Sequence, residues 1–267
     1  MFIKCFSKKH IIPFILILIT IIVISFIIIS SILSKTQNTY DDECDILNNT
    51  YCSDTDKELE EQKYLIEQYT NKKLLAITFD DGPSKYTKNL IDELTLRGTP
   101  ATFFLIGQNI EKFGDMVDYI NSSGSEVAIH SYVHKLFTRS TDEEIINQIS
   151  LTRDAILSNT DTQINLIRVP YGSTSKRVNE VIEGENLTSV LWDVDSLDWK
   201  LRNTQKVYNY VLKNIKGNQI ILMHDIYKTS VEAALKLIDT LQENCYTFVT
   251  VSKFLEIETL ANDNKKS

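Results

Sequence analysis

From Leu74 onward, short apolar runs alternate with longer stretches in which apolar residues recur every three to four positions. The short runs are Leu74–Phe79, Ala101–Ile106, Glu126–Ile129, Ile164–Val169, Thr188–Val194, Gln219–Met223 and Tyr246–Val251, each of strand length. The longer stretches predict helices over Tyr86–Arg97, Ile110–Ser122, Asp142–Ser158, Ser175–Glu183, Gln205–Lys216 and Val231–Glu243, with a last one over Val251–Thr259. Thr141-Asp142-Glu143-Glu144 opens one of them with a capping box. Such alternation predicts a parallel sheet covered by helices. No Gly-x-Gly-x-x-Gly follows the first strand, which removes the main support for a dinucleotide fold. The 182 residues from Leu74 to Leu255 fall short of the ~250 of a complete eightfold barrel. The expected fold class is therefore α/β, a distorted or incomplete (β/α) barrel of about seven parallel strands.

Before Leu74 the pattern is different. Ile11–Leu33 runs for 23 residues without a charge and holds twelve isoleucines. As a helix it would be about 34 Å long, enough to cross a hydrocarbon core of about 30 Å. It exits through Ser30-Ser31-Ile32-Leu33-Ser34-Lys35 with no alanine, unlike a cleaved leader. An uncleaved transmembrane anchor is expected. Lys4, Lys8 and Lys9 precede it with no acid among them, so the N-terminus is expected in the cytoplasm and the rest outside. Lys35–Thr70 then carries three lysines against ten acids and reads as an acidic stalk. Its later part, Asp56–Tyr69, could form a short helix with Leu59, Tyr64 and Leu65 inward. The expected organisation is a cytoplasmic flank (1–10), an anchor (11–33), a stalk (34–72), a catalytic domain (73–260) and a polar tail (261–267).

The composition narrows the function. An apolar fraction of 43% and a charged fraction of 24% are ordinary for a folded domain. The net charge of −8 argues against a nucleic-acid partner. An exported enzyme cannot count on a nucleotide cofactor, which favours a hydrolase. Four cysteines are too few for a disulfide scaffold, though Cys44 and Cys52 could close one local loop outside the cell. Cys245 lies in an apolar run and is expected to be buried.

Residues with chemical potential gather at the C-terminal ends of the predicted strands. These are Asp80-Asp81-Gly82-Pro83, His130 to His134, Arg168-Val169-Pro170-Tyr171, Asp195 to Trp199, and Leu222-Met223-His224. In parallel α/β folds this is the edge where sites form. Three of the four histidines lie there. His130 and His134 can grip one ion only if the turn between them is helical or tightly looped, since an extended strand would part them by about 13 Å. Exposed polar residues are the plain alternative. Adjacent Asp80 and Asp81 repel unless one meets a cation and the other an arginine, for which Arg168 is the candidate; a simple Asp-Gly-Pro turn is the other reading.

These five segments, in this order, resemble the motifs of the polysaccharide deacetylases with a NodB-type domain, carbohydrate esterase family 4. The resemblance covers about Leu75 to Val251 and implies a distorted (β/α) barrel. It implies a general base at Asp80, oriented by Arg168, and a general acid at His224, positioned by Asp198. Asp81, His130 and His134 would hold one divalent metal, commonly zinc, with cobalt or nickel able to serve. Tyr171 would help hold the oxyanion through its backbone N–H, and Trp199 and Leu222 would wall the acetyl pocket. The implied activity is removal of N-acetyl groups from cell-wall glycan, with N-acetylglucosamine of peptidoglycan as the expected substrate and acetate as product. Another exported polysaccharide, a chitin-like oligomer, a different metal-dependent amidase and a silent glycan-binding module are the alternatives. Two positions depart from the family pattern. Ala128-Ile129 stands where a Gly-Asn pair is frequent, so Ile129 is expected to alter the floor of the site. Cys245 stands where glycine is frequent.

Overall fold

The computed structural model describes residues 54–263. The chain divides into two compact units, 1–64 and 65–267. Of the first, only the opening turns of helix α1 (Asp54–Tyr69) fall among the described residues. Tyr64 on that helix is exposed rather than inward, whereas Leu65 is buried in the second unit. No helix among the described residues is long and apolar enough to cross a membrane. The expected anchor, 11–33, lies outside them, as do Cys44 and Cys52.

Among the described residues the second unit holds eight strands, β1 (Lys73–Gly82), β2 (Thr102–Ile106), β3 (Glu126–Ser131), β4 (Leu166–Ile167), β5 (Thr188–Ser189), β6 (Val194–Asp195), β7 (Gln219–His224) and β8 (Tyr246–Phe248). All pairings are parallel, in the order β5-β4-β3-β2-β1-β7-β6, and β8 joins the first residues of β1. Helices intervene as the alternation predicts: α2 (Thr87–Leu96), α3 (Gly107–Phe113), α4 (Asp115–Ser122), α5 (Asp142–Leu157), α6 (Lys176–Gly184), α7 (Asp198–Leu201), α8 (Thr204–Asn214), α9 (Lys228–Glu243) and α10 (Val251–Asp263). Thr141 and Glu144 form the expected capping box at α5.

The predicted strand Thr188–Val194 is broken in two, and the break explains the barrel. Val190 N–H donates to the Ile167 carbonyl in β4, while Asp193 N–H donates to the Ile220 carbonyl in β7. The two ends of the sheet are thus joined by one short run of chain. At ~3.8 Å per residue the run from Ser189 to Val194 spans at most about 19 Å. The sheet must therefore curl back on itself, giving the distorted barrel expected, without β5 and β6 ever pairing.

Strand alternation assigns the two faces. Leu75, Ile77 and Phe79 of β1, Phe103 and Leu105 of β2 and Ile129 of β3 belong to the larger core, packed against the covering helices. Leu74, Ala76, Phe104, Ala128, Leu166 and Ile220 face the other way, and α10 packs on them through Val251, Phe254 and Ile257. Ile129 therefore does not floor the site; the inward-facing residue is Ala128. Cys245 is exposed, with φ +63°, between α9 and β8. A left-handed turn there, not burial, is what the position demands, which suits glycine.

Candidate active site

Carrying the inward alternation to the strand ends brings the polar residues together. The inward row of β1 reads Leu74, Ala76, Thr78, Asp80; β3 continues from Ala128 to His130, β4 from Leu166 to Arg168, and β7 from Ile220 and Leu222 to His224. The lower half of the barrel interior is apolar and filled by α10. The upper half is a cavity of about 340 Å³ lined by Asp80, Asp81, His130, His134, Tyr171, Trp199, Leu222 and His224. Arg168 and Asp198 do not line it; both are fully buried behind it.

Arg168 lies behind Asp80. Its Nη1 donates to Asp80 Oδ1 at 2.7 Å and to Thr78 Oγ1 at 2.7 Å. Its Nε and Nη2 donate to the carbonyls of Val190 and Leu191, in the run that crosses between the sheet ends, and its guanidinium lies over the Phe104 ring. Burial pushes the guanidinium below its usual range, and the Asp80 charge opposes that. One side chain therefore fills the seam of the barrel and aims the Asp80 carboxylate.

Asp198 lies behind His224 in the same way. His224 Nδ1–H donates to Asp198 Oδ1 at 2.8 Å, and the His224 backbone N–H donates to Oδ2 at 2.8 Å. Burial pushes the imidazole down, but the hydrogen bond and charge of Asp198, with the charges of Asp80 and Asp81, raise it to about 9. Burial likewise pushes Asp198 up, and its bonds to His224 hold it below the usual carboxylate range.

Asp81, His130 and His134 offer one ligand atom each, all within 4.8 Å of one another. Asp81 Oδ1 lies 3.5 Å from His130 Nε2 and 3.4 Å from His134 Nε2. That oxygen is buried and accepts no hydrogen bond from any of the described residues. His130 Nδ1–H donates to the Arg168 carbonyl at 2.7 Å, so Nε2 is free to face Asp81. Burial lowers His134 below its ordinary value despite Asp81, which favours the neutral imidazole a metal needs. One carboxylate and two imidazoles with an orphaned buried oxygen between them fit a divalent cation. The chain achieves the i, i+4 approach by a tight loop rather than a helical turn, with left-handed φ at Ser131 (+100°) and His134 (+55°). Asp81, next to Asp80 on a strand, would point outward; its φ of +69° turns it back to the same cavity.

Tyr171 is exposed, has φ +62° and meets His134 edge-on at 4.4 Å. Trp199 is half exposed and Leu222 buried, on one wall. Asp195, which opens one of the five segments, also lines the cavity, as do Trp192 and Gly172, which escaped the sequence reading. Trp192 is one of two tryptophans and sits in the run that crosses the seam; a Cβ on Gly172 would come within 2.7 Å of its ring. Its signal was the tryptophan itself, in a run that reads as an ordinary strand.

A sequence profile described as polysaccharide deacetylase matches residues 67–190. A peptidoglycan-N-acetylglucosamine deacetylase of Bacillus cereus is 33% identical over 206 residues, which cover 74% of this chain and 96% of that protein. The chain belongs to the polysaccharide deacetylase family. The peptidoglycan-N-acetylmuramic acid deacetylase PdaC of Bacillus subtilis is 36% identical over 190 residues, covering 70% of this chain and 40% of that protein. The solved structure of that deacetylase superposes with a TM-score of 0.69 at 35% identity, over 73% of this chain and 96% of the solved one. The chain thus spans about two fifths of the length of PdaC and nearly all of the Bacillus cereus deacetylase.

Proposed function

We propose that this family member is a metal-dependent hydrolase that removes N-acetyl groups from cell-wall glycan, with N-acetylglucosamine of peptidoglycan as its substrate. The carrying observation is the pair of buried couplings, Arg168 to Asp80 and Asp198 to His224, on two sides of the Asp81–His130–His134 cluster. One keeps a carboxylate ready to accept a proton and the other keeps an imidazolium ready to give one.

A divalent ion held by Asp81, His130 and His134, zinc in the first instance, would polarise the acetyl carbonyl and acidify a water. Asp80 takes a proton from the attacking water as its oxygen bonds to the acetyl carbon. Arg168 holds that carboxylate at one oxygen, leaving the other to receive the proton. The Tyr171 N–H, turned by its left-handed φ, steadies the developing negative oxygen. His224 gives its Nε2 proton to the nitrogen as the C–N bond breaks, leaving acetate and a free amine. Trp199 and Leu222 hold the acetyl methyl and keep bulk water away. No nucleotide or nucleic acid enters the reaction.

The preference for N-acetylglucosamine over N-acetylmuramic acid rests on the Arg168 to Tyr171 motif; the relatives' names include both sugars. The apolar run 11–33 and the lysines before it support a single-pass anchor that holds the catalytic domain outside, within reach of peptidoglycan. Mass spectrometry of wall fragments treated with the full-length protein tests the substrate: loss of acetyl from glucosamine is expected, and unchanged muropeptides would point to chitin-like oligomers or another exported polysaccharide. Protease added to intact cells tests the topology: removal of the catalytic domain is expected, and full protection would reverse it.

A further inference from the structure

A fifth carboxylate lies beside the site and takes no part in the proposed reaction. Asp225 follows His224 and is fully buried. Its Oδ2 accepts a hydrogen bond from Thr87 Oγ1, at the start of α2. The same Thr87 oxygen accepts from Ser84 N–H at 2.7 Å, and Ser84 Oγ donates to the Asp225 backbone carbonyl at 2.8 Å. Asp225 Oδ1 has no hydrogen-bond partner among the described residues and lies against Gly82, where a Cβ would come within 2.7 Å of it. The turn from Gly82 to Thr87 is thereby fastened to the end of β7 by a side chain that fits only because residue 82 is glycine. That turn begins one residue after Asp81, whose carboxylate is aimed by an unusual backbone angle rather than by a partner.

We propose that Asp225 is a positioning residue for the metal site, holding the Gly82–Thr87 turn so that Asp81 faces His130 and His134. The inference rests on the metal reading of the previous subsection. Burying a carboxyl away from water is costly unless its shape or bonding is needed. What this one contributes is its fit, with one oxygen against Gly82 and the other bonded by Thr87, a shape that an amide in the same place would keep. Asp80 pairs with His224 in the β1–β7 register, so the residue after His224 is well placed to reach the residues after Asp81.

Cobalt(II) titration of the full-length chain in detergent, followed by visible absorbance, tests this. Asp225→Ala is expected to bind cobalt about 10–100-fold more weakly than wild type, with an altered absorption band. Asp225→Asn keeps the shape and the Thr87 bond and is expected to stay within about threefold of wild type. Thr87→Val removes the same tie from the other side and is expected to weaken binding in the same direction, which covers the case in which Asp225→Ala does not fold. Wild-type affinity and band in both Asp225→Ala and Thr87→Val would overturn the proposal. Equal losses in Asp225→Asn and Asp225→Ala would also overturn it, because charge would then outweigh fit. A wild-type chain that binds no cobalt would instead overturn the metal reading beneath it.

Discussion

Replacing Asp198 with asparagine isolates the means by which the site keeps a proton on His224. Asp198 is fully buried and accepts from both the ring and the backbone of His224. It is the main counterweight to burial in raising the imidazole to about 9. In Asp198→Asn the charge is gone, and the imidazole is expected to return to about its ordinary value of 6.5. At pH 8 a group titrating at about 9 is roughly 90% protonated and one at 6.5 roughly 3%. A general acid should therefore be about 30-fold scarcer in the variant at pH 8, and only about 1.3-fold scarcer at pH 6. Any loss of geometry multiplies both values equally. Acetate release by both proteins across pH 5.5–9.5 should show the alkaline limb of the variant displaced to lower pH. Stability offers a second readout with a fixed sign. Because the folded value of His224 is raised, its contribution is fully present below about 6.5 and is lost as pH rises through about 9. It is worth about 3 kcal/mol, so the stability gap between wild type and variant in urea should narrow over that window. A constant ratio of activities from pH 6 to 8 would refute the assignment of His224 as an acid tuned by Asp198.

Three further outcomes follow from the geometry. His224→Ala and Asp80→Asn should each lose about 10²–10⁴ of turnover and melt lower, because Asp198 and Arg168 respectively are left buried without a counter-charge at a cost of about 3–5 kcal/mol, as calorimetry would show. Elemental analysis should find near-stoichiometric divalent metal in wild type and little in His130→Ala, and full activity after exhaustive chelation would contradict the ligand set. Gly172→Ala should shift Trp192 and destabilise by about 1–3 kcal/mol, since residue 172 has φ +61° and no room for a Cβ; unchanged tryptophan fluorescence and KM would argue that this wall does not shape the acetyl pocket.

Periodicity made the strands and covering helices legible, because inward and outward rows differ in what they pack against. It could not show that Thr188–Val194 changes partners midway, since apolar alternation is the same whether a strand pairs on one side throughout or crosses a seam. The catalytic candidates were legible because Asp80, His130, Arg168 and His224 continue the inward rows. Asp81 and His134 were legible only as residue types; their aim comes from left-handed backbone, which no side-chain pattern encodes. Cys245 was misread because burial was inferred from apolar company without the sign of φ, and Ile129 because a departure from the family pattern was placed at the floor of the site without the phase of the strand. Asp225 gave no signal beyond its neighbour.

The left-handed residues around the cavity set a ceiling on thermal endurance. Among the described residues Asp81, His134 and Tyr171 line the cavity with positive φ, and Ser131 and Leu197, also with positive φ, adjoin His130 and Asp198 in the chain; none of the five is glycine. Each such residue costs on the order of 1–2 kcal/mol relative to a relaxed conformation, comparable in sum to a large part of a domain's net stability. Glycine at Leu197 would release part of this without touching a ligand, whereas at Asp81 or His134 it would erase the ligand itself. Heat-hardened variants of this chain should therefore arise more readily in the helices and outer core than at the rim of the cavity, where tolerance to heat and turnover draw on the same backbone.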